Sequence, residues 1–269
     1  MCLKTNWNIT GDRMDYVSQL VKNGISTKII GNQIHYYETV GSTMDEVHGL
    51  AKAGCLEGLI VIAENQIAGR GRTGRNWMSE PGNLLFSVLL KPSVDYISVL
   101  QPMIAICVAK GISSATNVKV DLKWPNDLMI ESNKIGGILL ESSVRDNILE
   151  YVVAGIGLNL KLSEKPTNEN YDISDLNTFS DNAVNRSELL KEILENLDSY
   201  YSRINDPSPI FEEWKNLLGI VGSHIRFNSG EEKHEGEVIY IDENGSLGLK
   251  EASGQVKEFM TGDILEVYE

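Results

Sequence analysis

Hydrophobic positions along this chain follow two periods, one near 3.6 and one near 2, and the switches between them mark its elements. Tyr16, Val17, Leu20 and Val21 have helical spacing. Residues 33–39 alternate as a strand. Thr43 reads as a helix N-cap, with Glu46 three places on completing a capping box, and that helix should run to about Lys52, before Gly54. Residues 59–63 and 84–90 are apolar enough for buried strands. Residues 98–114 read as a helix that is apolar almost all round, with Pro102 tolerated in its first turn. Residues 119–124, 137–142 and 151–154 read as strands, the last two forming a hairpin through residues 144–149. The polar stretch 161–186 reads as loop. Ser187 should cap a helix whose buried face carries Leu190, Ile193, Leu194, Leu197, Tyr201 and Ile204. Residues 206–209 break it, and a short helix carries Phe211, Trp214 and Leu218.

From about Gly219 the texture changes. Short β-like runs at 225–227, 237–241, 246–249 and 256–260 alternate with turns at Gly230, Asn244-Gly245 and Gly254. Fifty such residues suggest a small β-barrel. The division expected is a short arm over 1–31, a main domain over 32–218 and a small β domain over 219–269.

Composition narrows the function classes. The formal net charge of −14 opposes general nucleic-acid binding, which needs clustered Lys and Arg. No run approaches the roughly 18 consecutive apolar residues of a membrane helix. The N-terminus lacks the apolar core of a signal peptide. Cys2, Cys55 and Cys107 form neither a disulfide framework nor a CxxC pair, so a cytoplasmic setting is expected. The four histidines (His35, His48, His224, His234) lack metal-ligand spacing and read as scattered surface or boundary residues. Neither a GxSxG elbow nor an HExxH helix occurs.

Against this acidic background, Arg70, Arg72 and Arg75 stand close together in Gly69-Arg70-Gly71-Arg72-Thr73-Gly74-Arg75, followed by Trp77. Glycine amides can cradle anions and arginines add bidentate hydrogen bonds, although a flexible surface loop has the same composition. Three like charges should repel one another until an anion arrives, so the loop is expected to be mobile when empty. Lys123-Trp124-Pro125-Asn126-Asp127-Leu128 places polar side chains where a strand ends, or is an ordinary turn. Lys134-Ile135-Gly136-Gly137 sets an ammonium before a glycine pair, either to meet an anion or as an exposed hairpin lysine. Gly155-Ile156-Gly157-Leu158-Asn159 is a glycine-bearing strand ending in an amide, a sign of close approach or of a bulge.

Each segment is weak alone. With Gly41-Ser42-Thr43 at the front and Gln66 before the arginine loop, the ordered set over 32–160 resembles the biotin–protein ligase family. Gly236, Asn244-Gly245 and Gly262-Asp263 resemble that family's last domain. The resemblance implies an α+β fold: a mixed-sheet catalytic core with packed helices, like a class II synthetase, then a small SH3-like β-barrel. It implies a two-step reaction. Biotin and ATP, with Mg2+, give biotinyl-5′-AMP, and biotin passes to a lysine of a biotin carboxyl carrier domain of a biotin-dependent carboxylase.

By the same resemblance, Ser42, Thr43, Met44, Gln66, Gly69, Arg70, Gly71, Arg72, Trp77 and Lys134 form the biotin site. Arg72, Asn126, Asp127, Lys134 and Asn159 form the ATP site, and Lys134 and Arg72 are catalytic. No metal cage is assigned; magnesium arrives on the ATP phosphates, with Asp127 as its side-chain candidate. Neither DNA nor a membrane is expected as a partner, and a homodimer is left open. One departure is Met44, where the family commonly has Asn after Ser-Thr. Another is the expected lack of room for the winged helix-turn-helix of the repressing members. The competing readings are a lipoate–protein ligase or octanoyl transferase of the same fold, a biotin-sensing regulator, and a non-catalytic binding protein.

Overall fold

The computed structural model describes residues 8–9, 24–163 and 172–268. The expected N-terminal helix around Tyr16 and most of the 1–31 arm lie outside them. The first sheet contains β1 (Asn8–Ile9), β2 (Gln33–Val40), β3 (Leu59–Gln66), β4 (Leu84–Leu90), β5 (Asp121–Lys123), β6 (Asp127–Ile130), β7 (Asn133–Arg145), β8 (Ile148–Leu158) and β9 (Asp172–Ile173). Its order is β1-β2-β3-β4-β8-β7-β6-β5, with β9 on β7. The β1–β2, β2–β3 and β7–β9 pairs are parallel and the others antiparallel, so the sheet is mixed.

The continuous apolar runs of β3 and β4 follow from burial on both faces. Ile60, Ile62, Phe86 and Val88 face the main core, whereas Leu59, Val61 and Leu89 face a second cluster with Met44 and Val47. Met44 and Val47 lie on α1 (Thr43–Lys52). On the other side α2 (Ile97–Thr116), α4 (Arg186–Tyr201) and α5 (Ser208–Leu218) close the main core; a one-turn α3 (Leu176–Phe179) precedes α4. Gly111 lets α2 meet α4 closely, since a Cβ there would stand 2.5 Å from Ile193 Cγ1. Within Val94–Thr116 an 18-residue window reaches a mean hydropathy of 1.5, enough by length and composition to cross a bilayer, but 67% of that window is buried within the protein. It packs as a core helix here.

Several local expectations shift. Ser42, not Thr43, caps α1, with its Oγ accepting from the Met44 N–H, so Glu46 falls one place too far on for a capping box. Asn185, not Ser187, caps α4, accepting from the Ser187 and Glu188 amides. Helix α2 begins at Ile97, which puts Pro102 in its second turn rather than its first. The strand expected at 119–124 is shorter and is followed by the unexpected β6, too brief to stand out in a pattern. Part of the expected 161–186 loop holds β9 and α3. The β7–β8 hairpin forms but with much longer strands, turning at Asp146 and Asn147, both with positive φ (51° and 61°) as a type I′ turn requires.

The second sheet is antiparallel and comprises β10 (His224–Ser229), β11 (Glu232–Ile241), β12 (Leu247–Lys250), β13 (Val256–Phe259) and β14 (Asp263–Tyr268), in the order β13-β12-β11-β10-β14. Strand β14 was not anticipated. Apolar residues of this sheet, including Ile225, Phe227 and Val238, join the main core rather than forming a separate one. Trp124, 1% exposed, is the joint: its Nε1 donates to the Gly245 carbonyl at 2.9 Å and its ring meets Phe227 edge-on.

Candidate active site

Sheet and loop together enclose a cavity of about 300 Å³. The start of α1, the end of β3, the arginine loop, the β5–β6 turn and the glycine-rich stretches of β7 and β8 all supply its walls. The sequence candidates Ser42, Thr43, Met44, Gln66, Arg70, Gly71, Arg72, Trp77, Asn126, Asp127, Lys134 and Asn159 line it. Gly69 stands behind the wall, where a Cβ would come within 3.0 Å of the Trp77 carbonyl and 3.2 Å of Gln66 Nε2.

One end is neutral and polar. With Ser42 taking the capping role, Thr43 is freed: its N–H and Oγ1 both donate to Gln66 Oε1, at 2.7 and 3.1 Å, and Oγ1 lies 2.7 Å from Ser87 Oγ. Met44 is 4% exposed and lies on Gly155, where a Cβ would be 2.6 Å from its sulfur. The side chain that departs from the family pattern thus occupies space left by a glycine of β8. Trp77 uses a second such gap: a Cβ on Gly157 would sit 2.6 Å from two indole carbons. Both glycines of that β8 motif therefore mark close approach by side chains, not a bulge. The Trp77 Nε1 donor is buried without a hydrogen-bond partner in the protein.

The other end is charged. Lys134 Nζ and Asp127 Oδ1 are 2.6 Å apart, with side chains 16% and 14% exposed. Lys134 also lies 6.0 Å from the centre of the Trp77 ring. Arg72 donates to Asn126 Oδ1 at 2.9 Å and to the Thr261 hydroxyl, while Asn126 Nδ2 donates to the Ile138 carbonyl. Asn159 Nδ2 donates to the Ser174 carbonyl. Burial holds the Lys123 ammonium below the usual lysine range, and nearby Lys134 adds to this against the opposing pull of Asp127 and Asp263.

The three loop arginines do not face one another as unpaired like charges, contrary to expectation. Arg70 pairs with Glu141 and Asp45, Arg75 with Asp263, and Arg72 with the groups just named. Each partner comes from a distant part of the chain, so local sequence carried no trace of it. Asp263, which lines the cavity, and Glu141, Asp45 and Lys123, which stand behind it, were not anticipated; Glu141 and Lys123 sit inside recognised motifs, which was the available signal. The histidines are not all peripheral either. His48 joins Glu141, and His234 is 8% exposed between Phe227 and Phe259. Among the described residues, no group of three or more His, Cys, Asp or Glu side chains forms a metal cage.

Known proteins resemble this chain in sequence and fold. Residues 37–159 match the biotin/lipoate A/B protein ligase family. The bifunctional ligase/repressor BirA of Bacillus spizizenii is 30% identical over 251 residues, covering 91% of this chain and 77% of that protein. The biotin–[acetyl-CoA-carboxylase] ligase of Mycobacterium tuberculosis is 26% identical, with 87% and 89% covered. The solved structure of an Aquifex aeolicus biotin protein ligase in complex with biotin and ATP superposes with a TM-score of 0.71 at 26% identity, covering 86% of this chain and 97% of that one. With the motifs in order, the mixed sheet beneath them and a relative aligned along nearly its whole length, the chain belongs to the biotin/lipoate A/B protein ligase family, among its biotin protein ligases.

Proposed function

We propose that this chain activates biotin with ATP and transfers it to a lysine of a biotin carboxyl carrier domain of a biotin-dependent carboxylase. The observation that carries the reading is one cavity with a neutral hydrogen-bonding end, Thr43 and Gln66, and a cationic end, Lys134 and Arg72. Biotin has matching parts: a urea that donates and accepts, an apolar ring and chain, and a carboxylate. Thr43 and Gln66 take the urea; Met44 and Trp77 flank the apolar portion.

The chemistry follows from charge. A biotin carboxylate oxygen attacks the α-phosphorus of ATP, the bond to the bridging oxygen breaks, and pyrophosphate leaves. Bringing a carboxylate to a triphosphate costs repulsion, which Lys134 and Arg72 offset while holding the two in register. In the second step a neutral acceptor amine attacks the acyl carbon, AMP departs and the amine loses its proton. Magnesium suits the oxygen donors of Asp127 and of the phosphates, and when bound it neutralises charge on the departing pyrophosphate. Asn159 and Asn126 stand at the nucleotide end. The cytoplasm, where ATP is available, is the proposed setting.

The test is incubation with biotin, ATP labelled at the α-phosphate and an isolated biotinyl domain. Labelled biotinyl-AMP and a biotinylated lysine are expected. Preferential use of lipoate or octanoate in a competition would replace this reading with the lipoate ligase of the same fold.

A further inference from the structure

Arg70 is flanked by glycines on both sides, and a backbone of that kind has little conformational preference of its own. Something outside the loop must hold it if Gly71 is to form a wall. The loop is a small hairpin: Arg70 bridges to Asn76, the Gly71 N–H donates to the Arg75 carbonyl at 2.7 Å, and the Trp77 N–H donates to the Gly69 carbonyl at 2.9 Å. These bonds close the hairpin on itself without fixing it to the body of the protein.

The side chain of Arg70 makes that attachment at the neutral end. Its Nε donates to Glu141 Oε1 at 2.7 Å and its Nη2 to Glu141 Oε2 at 2.8 Å, a bidentate pair. Nη2 also reaches Asp45 Oδ1 at 2.9 Å, but Asp45 is 59% exposed and Glu141 only 30%. Glu141 is itself steadied from behind: His48 Nε2 lies 3.0 Å from Oε2, and His48 Nδ1 lies 3.2 Å from the Tyr151 hydroxyl. The Arg70 hydrogen bonds hold the Glu141 carboxyl below the usual carboxylate range, and Arg70 is raised in turn. Glu141 does not line the cavity, whereas Arg70 and Gly71 do.

We propose that Glu141 is a positioning residue, which through Arg70 holds the backbone of residues 69–71 against the biotin end of the cavity. The proposal rests on the functional reading given above. It differs from the Arg72 and Arg75 attachments, which tie the same loop to Asn126, Thr261 and Asp263 at the nucleotide end. The Glu141 attachment should govern how tightly biotin is held, more than how fast the bound pair reacts.

The experiment compares the full chain with Glu141→Ala, the near-isosteric Glu141→Gln, Arg70→Ala and the double variant. Biotin-dependent ATP–pyrophosphate exchange yields KM and kcat. Thermal melts record folding, and trypsin digestion of the ligand-free chains records exposure of the loop. Loss of a bidentate charge-assisted pair should raise the biotin KM about tenfold or more in Glu141→Ala, with a smaller change in kcat and an intermediate effect in Glu141→Gln. The double variant should match Arg70→Ala, because Glu141 acts only through that arginine. Trypsin should cut the loop faster in both Glu141 variants. An unchanged KM in folded Glu141→Gln and Glu141→Ala, or additive losses in the double variant, overturns the proposal. Equal cleavage rates in wild type and variants overturn the attachment itself, and that readout does not depend on biotin. A wild type that exchanges pyrophosphate with lipoate but not biotin overturns the functional reading instead.

Discussion

A lysine ammonium and an aspartate carboxylate 2.6 Å apart, Lys134 and Asp127, are the most closely coupled charges on the cavity wall. Under the proposed function they hold a cation where the reacting carboxylate and phosphate would meet, with Asp127 partly neutralising it until the anions arrive. Removing the lysine takes away a stabiliser of developing negative charge and leaves Asp127 as an added repulsion. Lys134→Ala should therefore lose roughly two to three orders of magnitude in adenylate formation, the scale of deleting one oxyanion partner. The measurement is biotin-dependent pyrophosphate exchange, with biotin binding measured separately; near-normal turnover would remove Lys134 from the mechanism. The place of Lys134 on the cavity wall agrees with the reading of its motif, Lys-Ile-Gly-Gly, but its partner was not legible there.

Among the elements, β3 and α4 are joined by an ion pair that does not touch the cavity. Arg186 at the start of α4 donates through Nη1 and Nη2 to the two oxygens of Glu64, at 2.9 and 2.8 Å, and the Gly82 N–H donates to the same carboxylate at 3.0 Å. Burial alone would raise the Glu64 carboxyl; the Arg186 hydrogen bonds and charge override it and hold the group below its ordinary range. The folded value thus lies below the unfolded value of about 4.3. The stabilisation from this group is complete above the unfolded value and is lost as pH falls through the folded one. Arg186→Ala should cost roughly 3 kcal/mol near neutrality by leaving a mostly buried carboxylate without its partner. The variant should also lose less stability than the wild type on acidification. Urea melts at a series of pH values would show both; parallel acid limbs in the two proteins would contradict the assignment. The sequence shows why this link escaped notice: Glu64 lies immediately beyond the apolar run that marked β3, and Arg186 lies in a stretch read as loop.

For the whole molecule, the second sheet is distinct in pattern but not in its packing. Trp124 is buried against Phe227 and bonded to Gly245, and it directly precedes the turn that carries Asn126 and Asp127. Thr261 and Asp263 reach the arginine loop. We propose that the boundary near residue 218 separates two sheets that share one core. A chain truncated after Leu218 should lose several degrees or more of thermal stability, since uncovering Trp124 alone compares with the roughly 3 kcal/mol of a large core deletion. Where it stays folded, it should keep biotin binding, because Thr43 and Gln66 sit on α1 and β3. Adenylate formation should fall, because the turn at Asn126 has lost its support. Circular-dichroism melts and equilibrium dialysis with biotin test the two halves of this; an unchanged melting temperature would show that the sheets are independent.

What the sequence by itself determined is the part written in short range: the apolar runs of β3 and β4, the long core helix α2, the alternating texture after residue 219 and the order of the five motifs. The elements depend on neighbouring residues sharing one face or one turn, and each strand, helical turn or motif is visible in a short window of the chain. Close approach at Gly157 and Gly155 was signalled by glycine, but the side chains that approach, Trp77 and Met44, lie far away in the chain. Only the tertiary structure decided which of two adjacent hydroxyls capped α1, leaving Thr43 for Gln66. It also decided which acid each arginine met: Glu141 for Arg70, 71 residues away, and Asp263 for Arg75, 188 away. A long-range ion pair needs only opposite charges brought together, and any of 38 acidic side chains could serve by composition. Packing of the sheet selected among them, which is why residues that line the cavity could be named from the motifs while the acids that brace them could not.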